Sequence, residues 1–438
     1  MKVQAQLFKG TRDFLPEQMI KRNYVVSKIK TVFEKYGFEP LETPTIEMWD
    51  TLSGKYGEEG DRLTYRFTDR GGRDVGLRYD LTVPFSRVMA MYPELPKPFK
   101  RYQIQPVWRA DRPQKGRFRE FYQCDVDVVG SDSIIADAEV VAVISEVLTT
   151  LNFKKFAIRI NSRKVLAGIV EATSAGADKE MDVYRSIDKL DKIGIEGVKK
   201  ELEERGISSS STATILDILK IDGDNATRLI KATEALASSE IGMAGIAEIK
   251  ELFSHLNGYG VKDSDLRFDL TLARGLDYYT GIICETIVEE PKIGSITGGG
   301  RYDNLIGMFS KNSIPATGSS VGLERIITVM DELDMFPSNL KTSTEVLVTV
   351  FNTDSLPYSI KVAKRLREAG INVDLYTGTV KLEKQMKFAH KKQIPFVAIA
   401  GPNEIAIEEV VIKNMGTGES KNFRLNELAA GVDKTLER

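Results

Sequence analysis

The sequence predicts an α/β chain with an α+β core entered through an antiparallel hairpin, an inserted helical subdomain and a small α/β domain at the C-terminal end. Three observations predict this. Residues 100–130, KRYQIQPVWRADRPQKGRFREFYQCDVDVVG, alternate at period two on either side of a basic loop, as paired strands do. Residues 172–262 are rich in Ala, Glu, Lys and Ser and lack strand alternation. From residue 345 onward, strand-like and helix-like runs take turns.

Taken in order, residues 16–36 form a helix opening at Pro16-Glu17, with Tyr24, Ile29, Val32 and Phe33 among its apolar positions and Gly37 as its stop. FEPLETPTIE is extended. Residues 57–73 are a polar, glycine-rich loop with a short strand at Leu63–Phe67. VGLRYDLTVPFSRVMA gives a strand, a turn and a helix starting at Pro84, a residue suited to the first helical position. In the hairpin, Arg101, Gln103, Gln105 and Arg109 share one face of the first strand, and Gln123, Asp125 and Asp127 one face of the second. A helix at 134–151 and a strand at 156–161 follow. Within 172–262, Ser208–Thr212 is a loop that caps a helix starting near Ala213. The sheet resumes at RFDLTLARGLDYYTGIICETIVEE, glycines gather at Gly294, Gly298, Gly299 and Gly300, and a helix spans Leu323–Leu333. Residues 334–344 are a linker. EVLVTVF, INVDLY and PFVAIAG then alternate as strands with the helices SIKVAKRLREAG and KLEKQMKFAHKKQ. A hairpin turning at Gly416–Gly418 follows.

At 438 residues the chain is long enough for two or three domains. Its net charge of −2 makes any nucleic-acid site a local patch. Two cysteines, Cys124 and Cys284, are too few for a disulfide framework, and no apolar h-region opens the chain. We therefore expect a cytoplasmic protein with no membrane partner. The two histidines, His255 and His390, both fall in helical patterns, which excludes a histidine metal centre and a Ser-His-Asp triad. Any catalysis must then work by positioning and electrostatics.

Between Lys100 and Arg119 there are seven basic residues and one acid, Asp111. A sheet face carrying arginines and carboxylates under a cationic loop suits a ligand with a triphosphate and an amine. The alternative is a hairpin with one wet face. Arg109, Arg274 and Arg325 lie in strand or glycine-punctuated settings where a planar guanidinium fork can hold phosphate. GGGRYD at 298–303 is neither a P-loop nor a dinucleotide fingerprint. Its glycines fit backbone approach to a ligand, or a bulge. Residues 361–392 carry nine basic and three acidic side chains, either a solvated lysine face or a nucleic-acid patch.

Seven separate segments together resemble the class II histidyl-tRNA synthetases. KGTRDFLPEQM at 9–19 is similar to their N-terminal segment, and GFEPLETPTIE to motif 1, with Pro44 at the dimer-forming position. LRYDLTVP at 77–84 resembles the amino-acid-binding segment in its archaeal/eukaryotic form. VWRADRPQKGRFREFYQCDVDVVG resembles motif 2, LARGLDYYTG and TGGGRYDNLIGMF the histidine-specific motifs, and GSSVGLERI motif 3. The likeness spans the chain except 172–262.

The resemblance implies a class II antiparallel sheet flanked by helices at 1–171 and 263–335, a helical insertion at 172–262, and an anticodon-binding α/β domain at 345–438. It implies that Asp80 and Thr82, with Gln123, hold the α-amino group of histidine, and that Leu81 between them belongs to the histidine-binding set. Asp127 and Tyr279 would read the imidazole, and Tyr278 and Tyr302 complete the pocket. Arg109 would bind the α-phosphate, Phe121 stack under adenine, Asp111 reach the adenine edge and Arg325 bind the γ-phosphate. Arg274 would stabilise charge at the α-phosphate and contact the carboxylate. Arg112, Gln114 and Lys115 would meet the acceptor end of histidine tRNA. The implied partners are L-histidine, ATP with Mg²⁺, histidine tRNA and a second copy of the chain, with no protein-held metal. Arg109-Ala110-Asp111 departs from the usual Arg-x-Glu, leaving the adenine contact of Asp111 open. Two other functions compete: a histidine-sensing regulatory subunit of ATP phosphoribosyltransferase, and an amino-acid ligase that does not use tRNA.

Overall fold

The computed structural model describes residues 4–428 except 115, 274–277 and 339. These fall into two compact units, one running through Asp13 and then Tyr24–Met335, the other taking Phe14–Asn23 and the chain from Phe336.

The first unit contains β1 (Glu39–Pro40), β2 (Ile46–Met48), β3 (Arg66–Thr68), β4 (Asp74–Leu77), β5 (Phe99–Trp108), β6 (Glu120–Val129), β7 (Phe156–Ser162), β8 (Leu266–Phe268), β9 (Ile282–Val288), β10 (Thr297–Arg301) and β11 (Ala316–Gly322). Eight strands make one sheet in the order β1-β5-β6-β11-β10-β9-β7-β8, and β2-β4-β3 make a second. In the large sheet only β1–β5 and β7–β8 are parallel. The central strands pair antiparallel without interruption. Helix Ile134–Thr150 packs on β11, capped by Ser133 Oγ accepting from the Ile135 N–H. Its Val140, Val143, Ile144, Val147 and Leu148 are buried, each contributing about 1.5–3 kcal/mol of hydrophobic stabilisation. Helices Glu180–Ile187, Leu190–Glu204, Ser209–Leu219, Asn225–Ala235 and Glu240–Gly258 lie between β7 and β8 in sequence.

Three local expectations are corrected. The loop expected at 57–73 begins as a helix, Gly57–Leu63, and the strand starts at Arg66 rather than Leu63. The polar, glycine-containing GEEGDRL has weak helix propensity, but Tyr56 just before it packs on Tyr79 with ring centroids 4.7 Å apart. The helix expected from Pro84 begins at Thr82. Asp80 Oδ1 accepts the Val83 N–H at 3.0 Å, so the cap lies upstream, and Pro84 falls among first-turn positions that need no donor. Ser208 alone caps the helix expected from Ala213; the rest of the Ser208–Thr212 run lies inside it.

In the second unit, β12 (Val346–Val348), β13 (Val373–Leu375), β14 (Phe396–Ile399), β15 (Glu409–Asn414) and β16 (Ser420–Arg424) form a mixed sheet ordered β13-β12-β14-β15-β16. Helices Leu356–Glu368 and Leu382–Lys391 follow the alternation read from sequence. Lysines 384, 387 and 391 face out, and the inward face is led by Ala389 and Gln385, with Leu382 and Met386 only partly buried. Gln385 is buried because its amide bonds the Val350 backbone from both sides, Nε2 to O at 2.7 Å and N to Oε1 at 2.9 Å. Among the described residues no helix is long and apolar enough to cross a membrane.

Candidate active site

The centre of the hairpin's polar face is buried. Arg101 and Gln103 have no exposed surface, and Asp125 and Asp127 almost none. Cross-strand partners share a face, so the ladder turns the alternation into rows. One row runs Arg101, Asp127, Gly318, Gly300; the next runs Gln103, Asp125, Ser320, Gly298, Glu285; a third pairs Gln105, Gln123 and Gly322. Over this face lies a cleft of about 860 Å³, lined by Gln123, Asp125, Asp127, Gly298, Gly318 and Glu285 among others. The glycines at 298–300 sit in a regular strand, which excludes the bulge reading. A Cβ on Gly298 would meet nothing within 4 Å, so that backbone faces open space.

Carboxylates dominate the floor. Asp127 receives the Tyr302 hydroxyl on Oδ1 at 2.5 Å, and its Oδ2 lies 2.8 Å from Arg101 Nη2 as an ion pair, with no hydrogen-bond partner among the described residues. Arg101 Nη2 lies 3.9 Å from Asp125 Oδ2. Burial pushes the Asp125 carboxyl up to about 7, opposed by Arg101 and aided by the charge of Asp127. Burial raises Asp127 too, again opposed by Arg101. Asp80 accepts from the Tyr56 hydroxyl at 3.0 Å and the Tyr278 hydroxyl at 3.3 Å; burial raises it, and these bonds and the Val83 N–H hold it down. Gln123 donates Nε2 to Ser320 Oγ at 3.0 Å, while its buried Oε1 has no partner among the described residues.

The other side of the cleft is cationic and aromatic. Arg109 donates Nε to the Tyr79 carbonyl at 3.1 Å, and its guanidinium carbon lies 4.2 Å from the Tyr79 ring centroid and 5.1 Å from that of Phe121. Arg325 donates to the carbonyls of Gly116 and Ser295, and Ser295 Oγ donates to Glu285.

Of the residues singled out from sequence, Asp80, Thr82, Arg109, Asp111, Phe121, Gln123, Asp127, Tyr278, Tyr279, Tyr302 and Arg325 all line this one cleft. Leu81 does not; it is fully buried, and its backbone carbonyl faces Arg101 Nη2 at 3.5 Å. Arg112 and Gln114 are exposed outside the cleft lining. Arg274 and Lys115 lie outside the described residues. Asp111 faces the Arg117 guanidinium at 3.6 Å. Sequence reasoning gave no role to Tyr56, Arg101, Asp125 or Glu285. For Arg101 and Asp125 the signal was present, since period two already placed them on the functional face.

A family model for histidyl-tRNA synthetase matches residues 10–326, which contain every strand of the first unit. The chain belongs to this family. An anticodon binding domain model matches residues 345–435. Proteins named histidine–tRNA ligase share this histidyl-tRNA synthetase pattern closely. That of Bacteroides fragilis is 44% identical over 97% of this chain and 98% of its own length. That of Gloeobacter violaceus is 42% identical over 96% and 97%. The crystal structure of histidyl-tRNA synthetase from Nostoc sp. PCC 7120 is 33% identical, covers 99% of this chain and 100% of that one, and superposes with a TM-score of 0.88. An ATP phosphoribosyltransferase regulatory subunit/histidyl-tRNA synthetase from Bacillus halodurans shares the fold, with a TM-score of 0.76 at 22% identity. These relatives are bacterial, and the archaeal/eukaryotic likeness of LRYDLTVP finds no support among them.

Gly318 shows how closely the synthetase floor is packed. A Cβ there would lie 1.9 Å from Asp127 Oδ1 and 2.8 Å from the Val126 carbonyl. Gly318→Ala must therefore push the Asp127 side chain aside. We expect a loss of about 10²-fold in kcat/KM for the amino acid, the scale of a 1 Å misplacement in a positioned site. Steady-state kinetics near wild type would show that the position of Asp127 does not matter.

Proposed function

We propose that this chain activates L-histidine with ATP to histidyl-adenylate and pyrophosphate, then transfers histidine to the 3′ end of histidine tRNA. The observation that carries this reading is one cleft holding buried carboxylates and tyrosines on its floor beside an arginine fork set against two aromatic rings. Asp80 and Thr82, with the free Oε1 of Gln123, hold the α-ammonium group. Asp127, Tyr278, Tyr279 and Tyr302 enclose the imidazole. Adenine stacks on Phe121, Arg109 takes the α-phosphate and Arg325 the γ-phosphate. Arg274 joins Arg109 at the α-phosphate, as the family pattern implies.

The substrate carboxylate attacks the α-phosphorus, a new C(O)–O–P bond forms, and the bond to the pyrophosphate leaving group breaks. A carboxylate needs no general base, so the residues act by holding the reactants in line and by offering fixed positive charge to the transition state. Mg²⁺ bound with ATP would neutralise phosphate charge. The cleft carboxylate Glu285, linked to Arg325 through Ser295, would offer it a hard oxygen donor.

We also assign the insertion at 172–262 to tRNA contact or structural support, the domain at 345–438 to the anticodon, and the acceptor end to Arg112, Gln114 and Lys115. The working form is a cytoplasmic homodimer. Met48, Val75 and Phe67 stand side by side across β2, β4 and β3, and Met48 and Phe67 are 49% and 41% exposed. An apolar stripe of that kind on a sheet face suits burial against another subunit.

The test is amino-acid-dependent ATP–pyrophosphate exchange with all twenty amino acids and no tRNA. Exchange with histidine alone is expected. Folded protein that exchanges with none would overturn the reading in favour of a histidine-binding regulatory subunit.

A further inference from the structure

The KGTRD stretch at 9–13 has no part in the assignment above, yet it is fastened to the loop between β5 and β6, which Arg109 opens and Phe121 follows. The Arg119 N–H donates to the Gly10 carbonyl at 2.9 Å, and Arg119 Nη1 to the Lys9 carbonyl at 3.1 Å. Arg119 in turn holds Arg109, whose N–H donates to the Arg119 carbonyl at 2.9 Å. Gly10 permits this approach: its φ is +92°, and a Cβ there would lie 2.8 Å from Pro113 Cγ. Arg12 reaches further in. Its guanidinium carbon lies 3.3 Å from the Phe118 ring centroid, and its Nη2 lies 3.7 Å from Glu324 Oε1. Glu324 is buried beside Arg325 at the start of the helix Leu323–Glu332, and its Oε2 accepts the Tyr122 N–H at 3.0 Å. Phe118, Glu324 and Arg325 all line the cleft.

We propose that Arg12 is a positioning residue of the ATP site, spanning from Phe118 to Glu324 and so fixing the adenine and α-phosphate end of the cleft against the γ-phosphate end. The inference rests on the reading in which Phe121 and Arg109 hold one end of ATP and Arg325 the other. Phe121 and Arg109 flank the loop, while Arg325 stands on a helix from a distant part of the chain. A ligand that touches both binds best when their spacing is preset, because ordering them on binding costs affinity. Arg12 suits that task, since a planar guanidinium can stack on a ring while it pairs with a carboxylate. It also sets a positive charge beside Glu324, which lowers the repulsion that this carboxylate offers a triphosphate. Arg325 ties the same helix to the loop at the Gly116 carbonyl; Arg12 adds the tie on the returning limb.

Arg12→Ala tests this in histidine-dependent ATP–pyrophosphate exchange, with two competitors of ATP. α,β-Methylene-ATP spans both ends of the cleft, whereas AMP occupies only the adenine and α-phosphate end. The Arg12 side chain is 34% exposed, so folding should survive its loss. We expect KM for ATP and the inhibition constant of α,β-methylene-ATP to rise about tenfold, the scale of losing one stacked, half-buried cation. The inhibition constant of AMP and KM for histidine should stay within about twofold of wild type, because neither ligand spans the two ends. A merely structural loosening would weaken AMP alongside α,β-methylene-ATP. Arg12→Lys keeps the charge beside Glu324 but not the planar stack, and should show the same selectivity at a smaller size. It carries the comparison alone if the alanine variant does not fold. A rise for AMP as large as that for α,β-methylene-ATP, or no rise in either, overturns the proposal. Wild-type protein that never exchanges with histidine would instead overturn the function on which the proposal stands.

Discussion

Arg109→Ala should lower histidine-dependent ATP–pyrophosphate exchange by about 10²–10³-fold, the scale of removing one preorganised charge donor from a transition state. Arg109 is built to be held without being used up. Its Nε is spent on the Tyr79 carbonyl, and the rings of Tyr79 and Phe121 orient the guanidinium. Its two terminal nitrogens make no hydrogen bond among the described residues, so the fork is preset for phosphate oxygens. The adenylation transition state spreads charge over the α-phosphoryl oxygens, and a donor already aimed there has no reorganisation to undergo. The loss should therefore appear in kcat more than in KM for histidine. Arg109→Lys keeps the charge but not the planar fork, and should recover only part of the rate. Circular dichroism and melting should match wild type, because the side chain is only half-buried. A loss below tenfold would remove Arg109 from the transition state; a change confined to KM for ATP would make it a ground-state binder.

Much of this site was legible in the sequence because its chemistry rides on local periodicity. Arg101, Gln103, Gln105, Gln123, Asp125 and Asp127 fall on one face by counting in twos, and the antiparallel ladder brings them together in that way. What counting could not decide was whether the face meets water or protein. That depends on Asp80, Tyr278 and Tyr302, which arrive from segments far along the chain. For the same reason the Tyr302 bond to Asp127 was invisible: it comes from a hydroxyl 175 residues away. Leu81 illustrates the opposite error. A contiguous motif was carried over whole, but the turn before the Thr82–Met91 helix points Asp80 and Thr82 at the cleft and buries the residue between them. The Gly57–Leu63 helix escaped because its propensity is poor and its packing partner, Tyr79 beside Tyr56, lies in a later strand region.

Arg101→Met should give the largest loss of stability among single changes at the site. Arg101 has no exposed surface, stacks over Phe85 at 4.2 Å, and is the cation shared by Asp125 and Asp127. Methionine fills much of the volume but leaves two buried carboxylates uncompensated. Breaking a buried ion pair from one side costs about 3–5 kcal/mol. The sign of the pH dependence follows from linkage. Burial already holds Asp125 near 7, against about 3.9 for an unfolded aspartate. Without the opposing arginine both carboxyls rise further. Between the unfolded value and the raised folded values the native state binds more protons than the unfolded chain, so stability falls as pH rises through that window. The melting deficit of the variant should thus be greatest near pH 8 and shrink toward pH 5.5, where both carboxyls can be neutral. Thermal melts of wild type and variant at the two pH values measure this directly. A deficit that does not change with pH would mean that Arg101 stabilises the fold through its bonds to Gln103 and the Leu81 carbonyl rather than by balancing the two acids.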